Sequence, residues 1–462
     1  MSSLFFGLNI ATTALQANQS ALNVTGNNLA NASTVGYSRQ RAGVVQGTPV
    51  QVGQQTFGSG VVVEGVERIQ AQWLQRQVNQ VQSDNSYYTA LGQGIGQLET
   101  LLAEPSEEGL GAALTEFWNS WEALSEDPTD SSLRAQVVDQ ASCLATQYNR
   151  TVTGLIEAEQ GFGTSVEDTV AQVNSLTAEL AELNTAIAKA EAAGQAPNTL
   201  LDQRDLLVAD ITQKLGVEVE ADGSYLNLKL PNGVPYLVNG GRAFPIDAET
   251  GPSGNLTDFR VGGGSVTLAE GELGALIELR DEISPGLRSE LATLMDTVVS
   301  QVNSLHASGY DRDGNPGEDL FLWVDDATGP PGRLEVNPAV ATDPDKIAAA
   351  TSPETPGEGD LARQVADLRT QSIFQATGDT PAGYLSLIVQ DLGEKGRQAG
   401  IFEASSGSIL LQLEAQSQSI SGVNVDEEMV FLIQYQRGYE AAARFLNTVD
   451  GLLDTLINEV GR

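Results

Sequence analysis

Two matching repeats, one near each end of the chain, restrict its fold more than any other feature. Leu8, Leu15, Leu22 and Leu29 recur every seven residues, and Val425, Leu432, Tyr439, Leu446, Leu453 and Val460 do the same at the other end. A strict seven-residue apolar spacing is one stripe of an α-helix and the mark of a coiled-coil-like seam. The rest of the first repeat is Asn, Gln, Ser and Thr, which are mediocre helix formers, so that helix is weak alone. The second repeat carries a further apolar set, Ile433, Phe445, Val449 and Leu452. Two apolar faces on one helix call for two packing partners. Asn424 is the expected N-cap, with Glu427 its capping-box partner, and Asp426, Glu427 and Glu428 suit the positive end of the helix dipole. The two ends are therefore expected to meet each other.

Charge sets the first end apart. The chain has a net charge of −37, yet from Met1 to Val63 its only charged residues are Arg39 and Arg41, and the first acid is Glu64. An almost uncharged surface suits a segment whose copies lie side by side, where a repeated charge would face itself. Elsewhere the acidity argues against a nucleic-acid partner, because neutralising phosphates needs clustered Lys and Arg, and no basic run occurs. No apolar run approaches the ~18 residues that cross a bilayer, so no membrane role is expected. The start "MSSLFFGLNIATTALQ" lacks a basic n-region and a continuous apolar h-region, so a cleaved secretory signal is not expected.

Between the ends the pattern is mostly helical. A stripe from Leu74 to Leu102 stops before Pro105, and Thr164 with Glu167 reads as the start of a helix carrying Val166 to Ile187. Further helices are expected over 198–215, from Leu287 to Leu305 after Pro285, and over 382–420. The stretch "GVEVEADGSYLNLKLPNGVPYLVNGG" alternates and contains Asp222-Gly223 and Asn232-Gly233, both hairpin signals. The expected fold is mainly α with a β-rich insertion. Residues 1–65 and 421–462 make an inner domain of paired terminal helices. Residues 66–215 and 276–420 make a helical middle domain, with an irregular excursion at 309–360, and 216–275 make a small outer β module.

Candidates for chemistry are few. With one Cys and one His, a thiolate–imidazole zinc site is excluded. Cys143 sits in the helical pattern Leu133, Val137, Ala141, Leu144, Tyr148 and reads as a small buried hydrophobe. His306 reads as a helix-end histidine bonded to the following loop. "DRDGNPGED" has Asp311, Asp313 and Asn315 at alternate positions, but Pro316 and Leu322 stand where a calcium loop needs Gly and Glu. A tight polar turn, with Gly314 and Gly317 supplying positive φ, fits it better. Acid pairs such as Glu126/Asp127 and Asp281/Glu282 are expected to be solvated surface. No catalytic, cofactor-binding or metal-binding residue is assigned, and no enzymatic activity is expected.

"LQANQSALNVTGNNLANASTVGYSRQ" resembles the N-terminal motif of the bacterial flagellar axial proteins, the family of rod, hook and hook-associated proteins. Asn27, Asn28, Asn31, Gly36, Tyr37 and Arg39 carry it. "LLDQRDLLVADITQKLGVEV" (200–219), "GALIELRDEISPGLRSELATLMDTVVSQVNSLHASGYDRDGNPGEDLF" (274–321), "LEVNPAVATDPDKIAAA" (334–350) and "GVNVDEEMVFLIQYQRGYEAAARFL" (422–446) resemble the members that join hook to filament. Many relatives have Pro where this chain has Val35. The resemblance implies a structural subunit, secreted by the flagellar type III route and self-assembling into a ring through its terminal helices. It implies hook protein and hook-associated protein 3 as neighbours, and an export chaperone on the C-terminal helix. Other axial members (hook, distal rod, hook-associated protein 3) are the near alternative; a secreted acidic hydrolase or an adhesin is the remote one.

Burying one seam does not offset the backbone entropy of so long a helix. The ends, about 1–60 and 425–462, are therefore expected to be disordered in the free monomer and to fold on assembly.

Overall fold

The computed structural model describes residues 2–52, 55–231, 235–250, 256–325 and 332–455. The chain opens with helix α1, Ser2–Ala30. A hairpin follows: β1 (Gln40–Gln46) pairs antiparallel with β4 (Val61–Arg68), and β2 (Val50–Val52) pairs with β3 (Gln55–Phe57) at its tip. These strands lie within the segment 1–65 expected as terminal-helix domain, so that domain is a helix pair with a hairpin added. The β-branched runs Val44-Val45 and Val61-Val62-Val63 are the local signal for these strands, and the hairpin lies along α1, with Phe57 beside Phe6 at 6.2 Å between ring centres.

Helices α2 (Gln72–Leu102), α3 (Leu110–Glu126), α4 (Ser131–Ala192) and α5 (Asn198–Lys214) come next. Ala103, in the left-handed region at φ 52°, ends α2 ahead of Pro105. Asp130 caps α4 by accepting from the Ser132 N–H at 2.7 Å. Helix α4 has 62 residues and does not restart at Thr164. The Thr164 hydroxyl instead donates to the carbonyl of Gln160 at 3.1 Å, one turn back. The helix runs through because Phe162 and Val166 are buried in consecutive cores, so packing on both sides outweighs a local cap signal.

Strands β5 (Glu218–Asp222), β6 (Tyr225–Lys229), β7 (Tyr236–Asn239) and β8 (Arg242–Ala243) form one antiparallel sheet in that order. Gly223, at φ 58°, makes the expected tight turn between β5 and β6; Asn232-Gly233 lies outside the described residues. A second sheet orders β11 (Gly264–Val266), β10 (Leu256–Val261) and β9 (Ile246–Thr250). Helix α6 (Gly271–Glu278) continues through a π-helical turn, Leu279–Ile283, into α7 (Ser284–Ser308). The excursion that follows contains the hairpin β12 (Phe321–Val324) and β13 (Arg333–Val336), and the short helix α8 (Pro338–Thr342). Helix α9 (Asp360–Asp367) and the long helices α10 (Pro381–Ser421) and α11 (Val425–Thr455) complete the chain.

Two apolar cores result. One joins α2, α3, the first half of α4, α7, α9 and α10 around Phe117, Trp121, Leu144 and Leu294. The other packs the second half of α4 and α5 against the two sheets, around Val173, Ile211, Leu228 and Val238. Helix α4 passes through both. Helices α2 and α10 run side by side, and α1 pairs with α11 beyond them. The fold is thus mainly α with a β-rich insertion, and its two ends form one helix pair.

Candidate functional site

The seam between α1 and α11 is rotated from the stripes that the repeats suggest. On α1 the buried residues are Ala11, Ala17, Ala21, Val24, Thr25 and Asn28, while Leu8, Leu15, Leu22 and Leu29 are half-buried. On α11 the buried line is Glu428, Ala442 and Val449. Gly7 faces Val449 and Phe445, and Gly438 faces Asn18. Small residues let the two backbones approach. Leu432, Leu446 and Leu453 are half-buried, Val425 and Tyr439 are exposed, and Val460 lies outside the described residues. Large side chains at and beyond the edge of the seam form an apolar surface: Met429, Val430, Ile433, Phe445 and Leu452 are all exposed, Val430 at 64%. A helix with so much uncovered apolar area is built to meet something else.

The motif residues build a buried polar clasp at the open end of this pair. Helix α1 ends where the Asn31 N–H bonds the Asn27 carbonyl, and Thr34 and Tyr37 continue as short turns. Gly36 then reverses the chain at φ 77°, with the Leu206 side chain of α5 only 2.6 Å from where a Cβ would stand. The reversal brings β1 back beside α1. Asn28, 1% exposed, reads the backbone of Gln40 as a neighbouring strand would. Its Oδ1 accepts from the Gln40 N–H at 3.0 Å, and its Nδ2 donates to the Gln40 carbonyl at 2.9 Å. The same Oδ1 accepts from the Tyr37 hydroxyl at 2.8 Å, and the Nδ2 donates to Glu428 Oε2 at 3.1 Å. All four hydrogen-bonding positions of the amide are used.

Glu428 comes from the other end of the chain and is 3% exposed. Its Oε1 accepts from Arg39 Nε at 2.8 Å. Arg39 also reaches the exposed Glu427 at 3.2 Å, and its guanidinium lies 5.7 Å from the centre of the Phe431 ring. The Arg39 N–H donates to the Ser421 carbonyl at 2.9 Å, tying the turn to the end of α10. Burial, then the Asp202 and Glu428 carboxylates, push the Tyr37 phenol up to about 12, so it stays a proton donor to Asn28. Asn27 borders this cluster, its Nδ2 donating to the Tyr37 hydroxyl at 3.3 Å; Asn31 Nδ2 bonds the Asn27 carbonyl and side chain at 3.0 Å, bracing the last turn of α1. Asn424 caps α11 as expected, its side chain accepting from the Asp426 N–H at 3.0 Å. Glu427 does not complete a capping box but turns to Arg39.

The other candidates resolve as structure. His306 is fully buried against Trp121. Its Nδ1 bonds the Glu318 carbonyl, and its Nε2 accepts from the Ala348 N–H at 2.9 Å. Burial holds its pKa below the usual histidine value. Asp311 fills its own loop, accepting from the N–H groups of Asp313 and Asn315 at 2.9 and 2.8 Å. Gly314 takes positive φ there, but Gly317 does not; it is small because a Cβ would meet the His306 carbonyl. Cys143 is exposed, not buried, because it lies on the outer side of α4 between the buried Ala141 and Leu144. Glu126, Asp127, Asp281 and Glu282 are exposed, and Asp281 is held by Arg280 at 2.6 Å. Among the described residues no group of His, Cys, Asp and Glu is arranged to hold a metal ion, and no helix is long and apolar enough to cross a membrane.

A helical body whose two ends return to one helix pair, clasped through buried polar groups and carrying an uncovered apolar face, is the form of an axial assembly subunit. Residues 95–321 match the family model described as "Flagellar hook-associated protein FlgK helical domain". Residues 8–37 match "Flagella basal body rod protein", and 414–459 match "Flagellar basal body rod FlgEFG protein C-terminal". The chain is 29% identical over 506 residues to flagellar hook-associated protein 1 of Bacillus subtilis, covering 100% of this chain and 99% of that one. To the protein of the same name in Escherichia coli it is 28% identical over 552 residues, covering 99% and 100%. It resembles the solved structure titled "The structure of the flagellar hook junction protein FlgK from Burkholderia pseudomallei" with a TM-score of 0.65 at 17% identity, over 75% of this chain and 100% of that one. The likeness to proteins named flagellar hook-associated protein 1 thus runs over the whole length of the chain.

Proposed function

We propose that this chain is a non-enzymatic structural subunit at the junction of flagellar hook and filament, and that it assembles through α1 and α11. The observation that carries the reading is the clasp: Asn28 and Glu428 are buried, and the half-buried Arg39 joins them, although they come from opposite ends of the chain. A buried carboxylate without its partner is costly, so neither end is stable in place without the other. Ordering of the ends is therefore coupled, and the apolar face of α11 supplies the contact that makes it favourable. Copies of the chain form a ring, with hook protein on one side and hook-associated protein 3 on the other. An export chaperone covers the exposed face of α11 before secretion by the type III route. In this reading residues 1–65 and 421–462 are the inner domain, 66–215 and 276–420 the middle, and 216–275 the outer module.

The test is electron microscopy of a strain lacking the chain. Bare hooks, with flagellin shed into the medium, are the expected result; normal filaments would refute the junction role. Complementing that strain separates the parts. A deletion of 216–275 should still assemble, whereas a deletion of 425–462 should not.

A further inference from the structure

The terminal unit belongs to neither apolar core. Among the described residues, the side chains of both cores and those packed on them all lie between Tyr87 and Ala399. What holds the terminal unit against the body at its joint is mainly polar, with one leucine beside it, and it comes from a single element. Helix α5 lies, in sequence, deep in the body, between α4 and β5. Its first two turns nevertheless reach β4 and the motif turn.

Asn198 Nδ2 donates to the Val66 carbonyl at 2.9 Å. Arg68 Nη1 donates to Asp202 Oδ1 at 2.7 Å and to Asp205 Oδ2 at 2.9 Å. The Arg68 and Asp202 side chains are 10% and 9% exposed. Gln70 Nε2 links Asp205 to the Ser38 hydroxyl at 2.8 and 2.9 Å. Asp202 and Asp205, three residues apart, share a face of α5, and Leu206 on the next turn closes over Gly36. Beside these contacts runs an open cleft of about 970 Å³ between the motif turn, α5 and the end of α10. The joint is thus loosely filled apart from the Arg68 cluster.

We infer that the first turns of α5 are a bracket, in which Arg68, Asp202, Asp205 and Leu206 set the direction in which the terminal helix pair leaves the body. A desolvated guanidinium between two carboxylates adds little net stability over an apolar contact but admits one geometry. That is the property a joint needs when every copy must leave the body at the same angle. The inference rests on the reading of α1 and α11 as the assembly element.

The test uses the strain lacking the chain, complemented with wild type, Arg68→Ala, Asp202→Asn/Asp205→Asn, or Arg68→Lys. The bracket variants keep the clasp and both cores, so they are expected on purified hooks in wild-type amount, with the body melting at the wild-type temperature. Their filaments should shear off several-fold more readily, while Arg68→Lys, which keeps the charge between the two carboxylates but not the planar guanidinium, should fall between them and wild type. Wild-type shear resistance in both Arg68→Ala and the double Asn variant would overturn the bracket, as would their absence from hooks. If the wild-type gene itself fails to restore filaments, it is the junction role that fails.

Discussion

The clasp makes a prediction whose sign depends on which charge is buried. In Arg39→Ala, Glu428, 3% exposed in the intact clasp, keeps only the Asn28 amide as partner. Removing one member of a buried pair costs ~3–5 kcal/mol, or about two to three and a half decades in the equilibrium between clasped and open ends. Glu428→Ala should cost less. It leaves Arg39, whose side chain is 17% exposed, with Glu427 and water as partners, and leaves one Asn28 donor unpaired, for ~1–3 kcal/mol. The double variant Arg39→Ala/Glu428→Ala should be milder than Arg39→Ala alone, because no carboxylate remains to be buried. The assay is release of the hook-bound chain from purified hooks by urea, which reads the assembled state directly. The expected order of midpoints is wild type, Glu428→Ala, the double variant, then Arg39→Ala lowest. If the double variant falls by the sum of the two single losses, the residues are uncoupled and the clasp argument is wrong.

Other expectations are as direct. Gly36→Ala places a Cβ at φ 77° and 2.6 Å from the Leu206 side chain; the backbone alone costs ~1–2 kcal/mol. Adding Leu206→Ala should relieve the clash but not that residue, so assembly measured by motility should recover only in part. His306 has a folded pKa lowered by burial, so its contribution is present above its unfolded value near 6.5 and is lost as pH falls below it. The body should lose up to about 1.4 kcal/mol per pH unit there. Urea melts of wild type and His306→Gln compared at pH 7 and 5.5 should show the extra acid sensitivity only in wild type; equal slopes would contradict it. In the purified monomer, protease should remove about 1–60 and 425–462 before touching the body; ends as resistant as α4 would show that they fold without assembly.

Much of the architecture was legible because periodicity reports local structure. The seven-residue repeats announced two terminal helices, the stripe from Leu74 to Leu102 and the stretch 382–420 announced α2 and α10, and Asp222-Gly223 announced a hairpin. Periodicity gives the spacing of a face but not which face a neighbour takes. The leucines and Tyr439 have the bulk of a seam, yet the closest approaches of the two helices are at Gly7, against Val449, and at Gly438, against Asn18, where there is no side chain in the way. The β1–β4 hairpin is hard to read from sequence because its strands, seven and eight residues long, are interrupted by Gly43 and Gly65 and joined by no short turn signal. The false start at Thr164 has the same origin: a cap signal is local, and the two cores that override it are not.

The site divides the same way. The motif marked Asn28, Gly36, Tyr37 and Arg39 as a group, and their identities alone required a tight reversal and a polar contact. The sequence by itself determined a mainly helical chain with a β insertion, two ends that match, and an N-terminal segment almost without charge. Only the tertiary structure decided that Arg39 meets Glu428, 389 residues away, and that Arg68 meets Asp202, 134 residues away. Helix and turn signals lie within a few residues and survive in the sequence; a buried charge finds its partner only when the whole chain has fixed where the low-dielectric space will be.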